Sequence, residues 1–303
     1  MSEELKLVYQ KPFLSYAEQI TLLKGRGLSF KNEELALKIL EKVSYYRLGS
    51  YWHTFLEDKQ SKAFKENSSF DRAFEIYKFD MNLRKIIIAE IEKIEVAFRS
   101  KMAHILSLSN GSFWLEKRDL FSKSCEHKSL VLKIKEEIKR SDESLIVSFK
   151  KEYSNDIPPT FMLLEIASFG TLSKLYKNLK ANKDKREIAQ FFGLSDAVFE
   201  SWLYSLVYVR NICAHYARLW NRKMRISPMY LETHKNQWLI NKQVCNNRIY
   251  FVLSMLIYLL NIINPKHSFK QKLNALFLKY PIIDKPAMGF PANWQKEPLW
   301  VSV

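Results

Sequence analysis

Arg210, Asn211 and His215 share one hexapeptide, Arg210-Asn211-Ile212-Cys213-Ala214-His215. A run of cations follows: Arg218, Arg222, Lys223 and Arg225. An imidazole moves protons near neutral pH. A guanidinium holds phosphate oxygens bidentately and stabilises charge that develops on them. With no carboxylate among them, these residues make a poor metal site and a poor protease, but they suit a phosphodiester. The matching reaction is attack by a ribose 2′-hydroxyl on its own 3′-phosphate. It needs a base for the 2′ proton, an acid for the leaving 5′-oxygen and cations for the phosphorane. It is confined to RNA, needs no metal or cofactor, and leaves a 2′,3′-cyclic phosphate and a 5′-hydroxyl.

Helical geometry limits how these residues meet. Asn211 lies four before His215 and shares its face. If the helix runs on, Arg218 and Arg222 continue a stripe of Asn211, His215, Arg218 and Arg222. The amide would fix the imidazole tautomer, and the arginines would receive a phosphate backbone. Arg210 lies five before His215, about 140° around the helix. It must reach around with its long stem or be completed by a second copy of the chain, as in a two-fold homodimer. The bland account is a histidine at a helix C-terminus amid solvated arginines.

The elements that would position these residues are helical nearly throughout. Ser195 is placed to cap the key helix, whose apolar stripe is Val198, Trp202, Leu206 and Val209, with Pro228 as its latest end. Residues 70–109 hold no Gly or Pro. There Phe74, Tyr77, Met81, Ile88, Ile91, Phe98, Met102 and Ile105 recur at helical spacing. Arg84 and Glu95 fall on that stripe and need partners if buried; Glu95 and Arg99 are four apart and can meet. Arg99 and His104 form a second R-x4-H, weak by itself.

Shorter elements follow the same logic. Ser15 and Glu18 make a capping box with Gly25 as the stop. Asn32 caps a helix carrying Leu35, Ile39 and Leu40 on one side. The Tyr45–Trp52 aromatic cluster packs helices or stacks bases. A loop over 112–128 with a buried Phe113-Trp114 pair precedes helices at 128–140 and 143–153. Pro158-Pro159 opens a helix that breaks at Ser168-Phe169-Gly170. Asp184 caps a helix to Phe192, closed by Gly193. Residues 249–263 are too short to span a bilayer and read as a core helix. The last segment, rich in Pro and aromatics, excludes a helix and docks on the body.

Composition narrows the partners. With 48 Lys+Arg against 32 Asp+Glu, the 303-residue chain carries +16 and calls for a polyanion, nucleic acid first. A Lys-heavy coding bias is the competing account. Seven glycines and no phosphate-loop pattern disfavour Gly-rich nucleotide folds. Cys125, Cys213 and Cys245 are scattered and odd in number, which indicates neither disulfides nor zinc and fits a cytoplasmic chain. Residues 1–6 are acidic and lack a signal-peptide core.

The chain resembles the abortive-infection (Abi) proteins of the AbiD/AbiF type, within the HEPN superfamily of helical ribonucleases. The resemblance rests on Lys11-Pro12-Phe13-Leu14-Ser15-Tyr16-Ala17-Glu18-Gln19 with Arg26-Gly27-Leu28, and on Ser44-Tyr45-Tyr46-Arg47-Leu48. It continues through Tyr77-Lys78-Phe79-Asp80, Ile94-Glu95-Val96-Ala97-Phe98-Arg99-Ser100 and Glu165-Ile166-Ala167-Ser168-Phe169-Gly170. It closes with Arg210 to His215, Arg218-Leu219-Trp220-Asn221-Arg222 and Met288-Gly289-Phe290-Pro291. The resemblance implies an all-α fold, a role in defence against phage and toxin-like growth arrest. The superfamily's R-x4–6-H maps onto Arg210 and His215, with Asn211 as polar neighbour. Some such proteins are paired with a regulatory antitoxin RNA.

The expectation is therefore an all-α, HEPN-like bundle: an N-terminal helical region at 1–68, a core at 69–265, and a C-terminal helix and docked tail at 266–303. The expected activity is metal-independent RNA cleavage by Arg210, Asn211 and His215. RNA would be bound by Arg218, Arg222, Arg225, Arg99 and His104, with Glu95, Glu165 and Asn221 in support. The alternatives are a non-catalytic RNA-binding protein regulated by a small RNA, and a protein-interaction adaptor. A homodimer, an RNA substrate and no membrane complete the expectation.

Overall fold

The computed structural model describes residues 8, 10–58, 60–122 and 124–301, with the side chains of 124 and 125 excepted; residues 1–6 lie outside it. The chain is all-α, and among the described residues pairing of β type is limited to isolated bridges. It divides into two compact units, Met1–Met81 with Tyr280–Ile283, and Asn82–Lys279 with Asp284–Val303. The boundaries expected at 68 and 265 are not where these units part. The first division falls within the helix over Phe70–Asn110, and most of the tail belongs with the second unit.

In the first unit, α1 (Tyr16–Gly25) begins with the expected reciprocal capping box of Ser15 and Glu18. Asn32 caps α2 (Glu33–Val43) by accepting from Leu35 N. Leu35 itself is 51% exposed, so the buried stripe of α2 runs through Ala36 and Leu40 instead. Ser44 caps α3 (Tyr45–Trp52), burying Leu48, Tyr51 and Trp52. Tyr51 donates 2.7 Å to the fully buried Asp80, so the cluster is partly core. A buried carboxylate needs such a donor because burial without one is costly.

The long α4 (Phe70–Asn110) carries its core face through Leu83, Ile87, Ile91, Ile94, Phe98 and Met102. Phe74, Tyr77, Met81 and Ile88 are half-buried at its flank. The true stripe drifts because 3.6 residues per turn precess against a 3/4 pattern. Next come α5 (Ser124–Arg140), α6 (Ser144–Glu152), α7 (Thr160–Ile166) and α8 (Phe169–Asn178). The break between α7 and α8 is capped by Ser168, which accepts from Thr171 N. Asn182, rather than Asp184, caps α9 (Lys183–Phe191): its extended backbone lets Oδ1 accept from Lys185 N. Asp184 accepts instead from Asn110 Nδ2 at 2.9 Å.

The core of the second unit is α11 (Ile249–Ile263), whose residues 249–260 are all buried. The tail after α12 (Phe269–Lys279) docks on it as expected. Trp300 stacks on Tyr250 at 5.3 Å and donates from Nε1 to Ser254 Oγ at 2.9 Å. Phe290 packs between Tyr250 and Trp294. Among the described residues no helix is long and apolar enough to cross a membrane.

Candidate functional site

The key helix, α10 (Asp196–Ala214), starts at Ser195, whose hydroxyl accepts from Val198 N. It buries Val198, Phe199, Trp202, Leu203, Leu206, Val209, Ile212 and Cys213. Each large apolar side chain so placed contributes about 1.5–3 kcal/mol of burial. Phe199 sits in an aromatic cluster with Phe98, Tyr176 and Phe192, at centroid separations of 5.5, 5.2 and 4.6 Å. Trp202 donates to Met229 O at 3.0 Å, and Ser201 accepts from Met229 N, which ties the following loop to the helix.

With that face committed to core, Asn211 and His215 are left exposed and Arg210 half-exposed. Arg210 Nη1 donates to Asn211 Oδ1 at 3.3 Å. This contact is with the adjacent residue.

The helix does not run on. His215 is its C-cap, Tyr216 N donates to Cys213 O, and Ala217 N donates to Ile212 O. These two bonds make a Schellman motif, which wants a left-handed residue at the position of Tyr216. Tyr216 adopts φ +56, a strained choice for an aromatic side chain. The expected stripe of Asn211, His215, Arg218 and Arg222 on one helix therefore ends at His215. Arg218 and Arg222 lie on the loop beyond, where Arg222 Nη1 donates to Arg218 O at 3.1 Å. Arg225 is exposed further along.

That loop is held from three sides. Leu219 and Trp220 are buried anchors. Buried Arg84 of α4 donates to Ala217 O at 3.4 Å. Arg248 donates to Asn221 Oδ1 at 3.4 Å, and Asn221 is itself left-handed at φ +48. Behind Arg248 sits Gly289 at φ +90, where an added Cβ would lie 2.4 Å from Arg248 Cβ. Asn221 is thus held by Arg248. The parts of Arg248, Gly289 and Tyr216 carried no sequence signal. Arg84 did signal, as a charge on an apolar stripe.

The second R-x4-H is built differently. Arg99 pairs with Glu95 at 2.9 Å and caps the end of α7, donating to the carbonyls of Leu164 (2.6 Å), Glu165 and Ala167 (3.1 Å). These hydrogen bonds all go to groups of the protein. His104 is exposed in an open groove of about 630 Å³ with Ser100, Ser107, Phe161 and Glu165.

The two motifs do not meet within one chain. Arg84 touches Ala217 beyond the end of α10, whereas Phe98 touches Phe199 near its start, so α4 and α10 run antiparallel. Arg99 lies fifteen residues past Arg84, about 22 Å along the helix at 1.5 Å per residue. Among the described residues no three His, Cys, Asp or Glu side chains converge at metal-ligand spacing.

Fold and site together define an all-α protein that presents an exposed Arg–Asn–His set at a helix terminus beside a cationic loop. The chain belongs to the Abi-like protein family, which it matches over residues 38–221. No curated protein and no solved structure matches it.

Proposed function

We propose that the protein is a metal-independent endoribonuclease of the HEPN type that acts in abortive infection, stopping growth of a phage-infected cell. The observation that carries this reading is the terminus of α10, where Asn211 and His215 are exposed and Arg210 half-exposed, followed at once by Arg218, Arg222 and Arg225. His215 exchanges the protons, and Arg210 with the loop arginines carries the phosphorane charge. The 2′-oxygen bonds to phosphorus as the bond from phosphorus to the 5′-oxygen breaks. The 2′ proton leaves to a base, and the departing oxygen receives one from an acid.

That sequence asks for two proton-transfer groups, and His104 lies at the far end of the α4–α10 pair. A homodimer placing two α10 termini side by side supplies the second imidazole. RNA is the substrate, and a small antitoxin RNA is the expected silencer, drawn by the same basic surface. The test is incubation with RNA in chelator, with analysis of the product ends. Cyclic phosphate and 5′-hydroxyl ends that vanish in His215→Ala are expected. Activity that needs a divalent metal, or that persists in the variant, would overturn the assignment.

The single histidine per site favours one second reading, an RNA-binding protein without cleavage. It predicts salt-dependent binding that is unchanged in His215→Ala, and no product.

A further inference from the structure

A second charged cavity lies in the N-terminal unit, in no part of the site above. It encloses about 360 Å³, within the range of small-molecule sites. Its walls come from the segment before α1, from α1 itself, from the first turn of α3, and from the turn holding Lys62. Three cations line it, Lys11, Arg26 and Lys62, and no carboxylate does. None of the three forms an ion pair among the described residues.

The cations are held together by the fold. Phe64 N donates to Arg26 O at 2.9 Å, which fixes the turn against the end of α1. Asp58 accepts from the backbone of Gln60 and Ser61, at 2.9 and 2.8 Å, and shapes that turn. Lys62 takes a left-handed φ of +61, rare for a side chain of its size. The nearby Lys11, and then Arg26, push the Lys62 ammonium below its ordinary pKa. Like charges gathered without a counter-charge favour an anion beside them.

The aromatic lining says what kind of anion. Phe13 is 90% exposed and Tyr46 77% exposed, while Tyr45 is fixed by a 3.3 Å bond from Arg26 Nη1. Exposed aromatic faces beside cations are the stacking platforms of single-strand nucleic-acid sites.

Cations and exposed aromatic faces together call for one molecule carrying phosphate and an aromatic ring. We infer that this cavity binds a nucleoside phosphate, with the phosphate on Lys11, Arg26 and Lys62 and the base against Phe13 and Tyr46. The nucleotide comes either free or as one residue of a single-stranded RNA. Binding here does not rest on the cleavage chemistry at α10.

The test uses the full chain and calorimetric titration with the four nucleoside 5′-monophosphates, inorganic phosphate, a phosphotyrosine peptide and a short single-stranded oligonucleotide. Monophosphates are expected to bind, and to bind more tightly than inorganic phosphate. Equal affinity of monophosphate and oligonucleotide assigns the site to a free nucleotide; a much tighter oligonucleotide whose affinity falls in Lys11→Gln/Lys62→Gln assigns it to a strand. The exposed double variant Lys11→Gln/Lys62→Gln should weaken either ligand by about ten-fold or more. Tyr46→Ala should weaken nucleotides while sparing inorganic phosphate, and His215→Ala should leave binding unchanged. No nucleotide binding, binding indifferent to Lys11→Gln/Lys62→Gln and Tyr46→Ala, or equal binding of the phosphotyrosine peptide would overturn the inference. A protein that binds nucleotide but cuts nothing would refute only the cleavage proposal.

Discussion

Arg84, buried in the middle of α4, donates to the carbonyl of Ala217, two residues beyond His215. A long-range contact thus ties the core of one helix to the end of another, where the exposed histidine sits. A buried guanidinium is costly to keep unless it satisfies groups that nothing else reaches.

Arg84→Met should therefore lower stability by about 1–3 kcal/mol, by leaving the Ala217 carbonyl unmatched. In RNA cleavage it should lower kcat more than it raises KM, since the loop at His215 loses its anchor while the exposed cations stay. Denaturant melts and steady-state kinetics check both, and Arg84→Lys should rescue little because the planar fork is lost. An unchanged kcat would show that the contact serves the fold alone.

The two R-x4-H motifs should respond in opposite ways. Arg99→Gln removes three carbonyl contacts and the Glu95 pair, and should cost about 3 kcal/mol. Arg210 is half-exposed and bonds to the neighbouring Asn211, so Arg210→Gln should leave the melting curve nearly unmoved and abolish cleavage. A parallel set of melts and product assays decides this. A stable, inactive Arg99→Gln would restore that residue to the chemistry.

Tyr216 holds a left-handed backbone that glycine adopts freely. Tyr216→Gly should raise stability by about 1 kcal/mol. The exposed ring beside His215 is then expected to show its purpose as a loss of RNA affinity, read by fluorescence anisotropy. A stabilised variant with full affinity would mean that the strain has no part in binding.

Gly289 backs Arg248, which in turn holds Asn221. Gly289→Ala adds a methyl 2.4 Å from Arg248 Cβ at a φ of +90. It should destabilise by more than about 1 kcal/mol and reduce cleavage, with thermal melts and activity measured on the same preparation.

Acid should destabilise the second unit. Glu90 is fully buried; burial opposes its charge, but Lys272 at 2.8 Å and Lys93 at 2.6 Å outweigh this and lower its pKa. Burial lowers the pKa of His267, whose ring accepts from Phe269 N and bonds to Asn261. Both folded values lie below the unfolded ones. Each contribution is thus present above the unfolded pKa and is lost as pH falls through the folded one. The melting temperature should fall first below about pH 6.5, and again in the carboxylate range. In Glu90→Gln the second fall should flatten; an equally steep one would place the acid sensitivity elsewhere.

Much of the fold is legible in the sequence because it is local. Ser15, Asn32 and Ser195 each cap the helix their spacing announced, and the break expected at Ser168-Phe169-Gly170 is there. Residues 249–263 form one buried helix. Other features misled because the answer lay across the fold: Leu35 faces solvent, and Asn182 outcompeted Asp184 for a cap.

At the candidate site the same division holds. Sequence alone determined that Arg210, Asn211 and His215 lie close together late in a helix with cations after them, since a few residues of backbone set those positions. It also determined the all-α class, through hydrophobic period and scarce glycine. Only the tertiary structure decided that the helix stops at His215, that Arg84 and Arg248 hold the loop beyond, and that Arg99 is spent on α7. Those outcomes depend on which carbonyls and carboxylates are left unmatched when distant helices pack, and no local pattern records that.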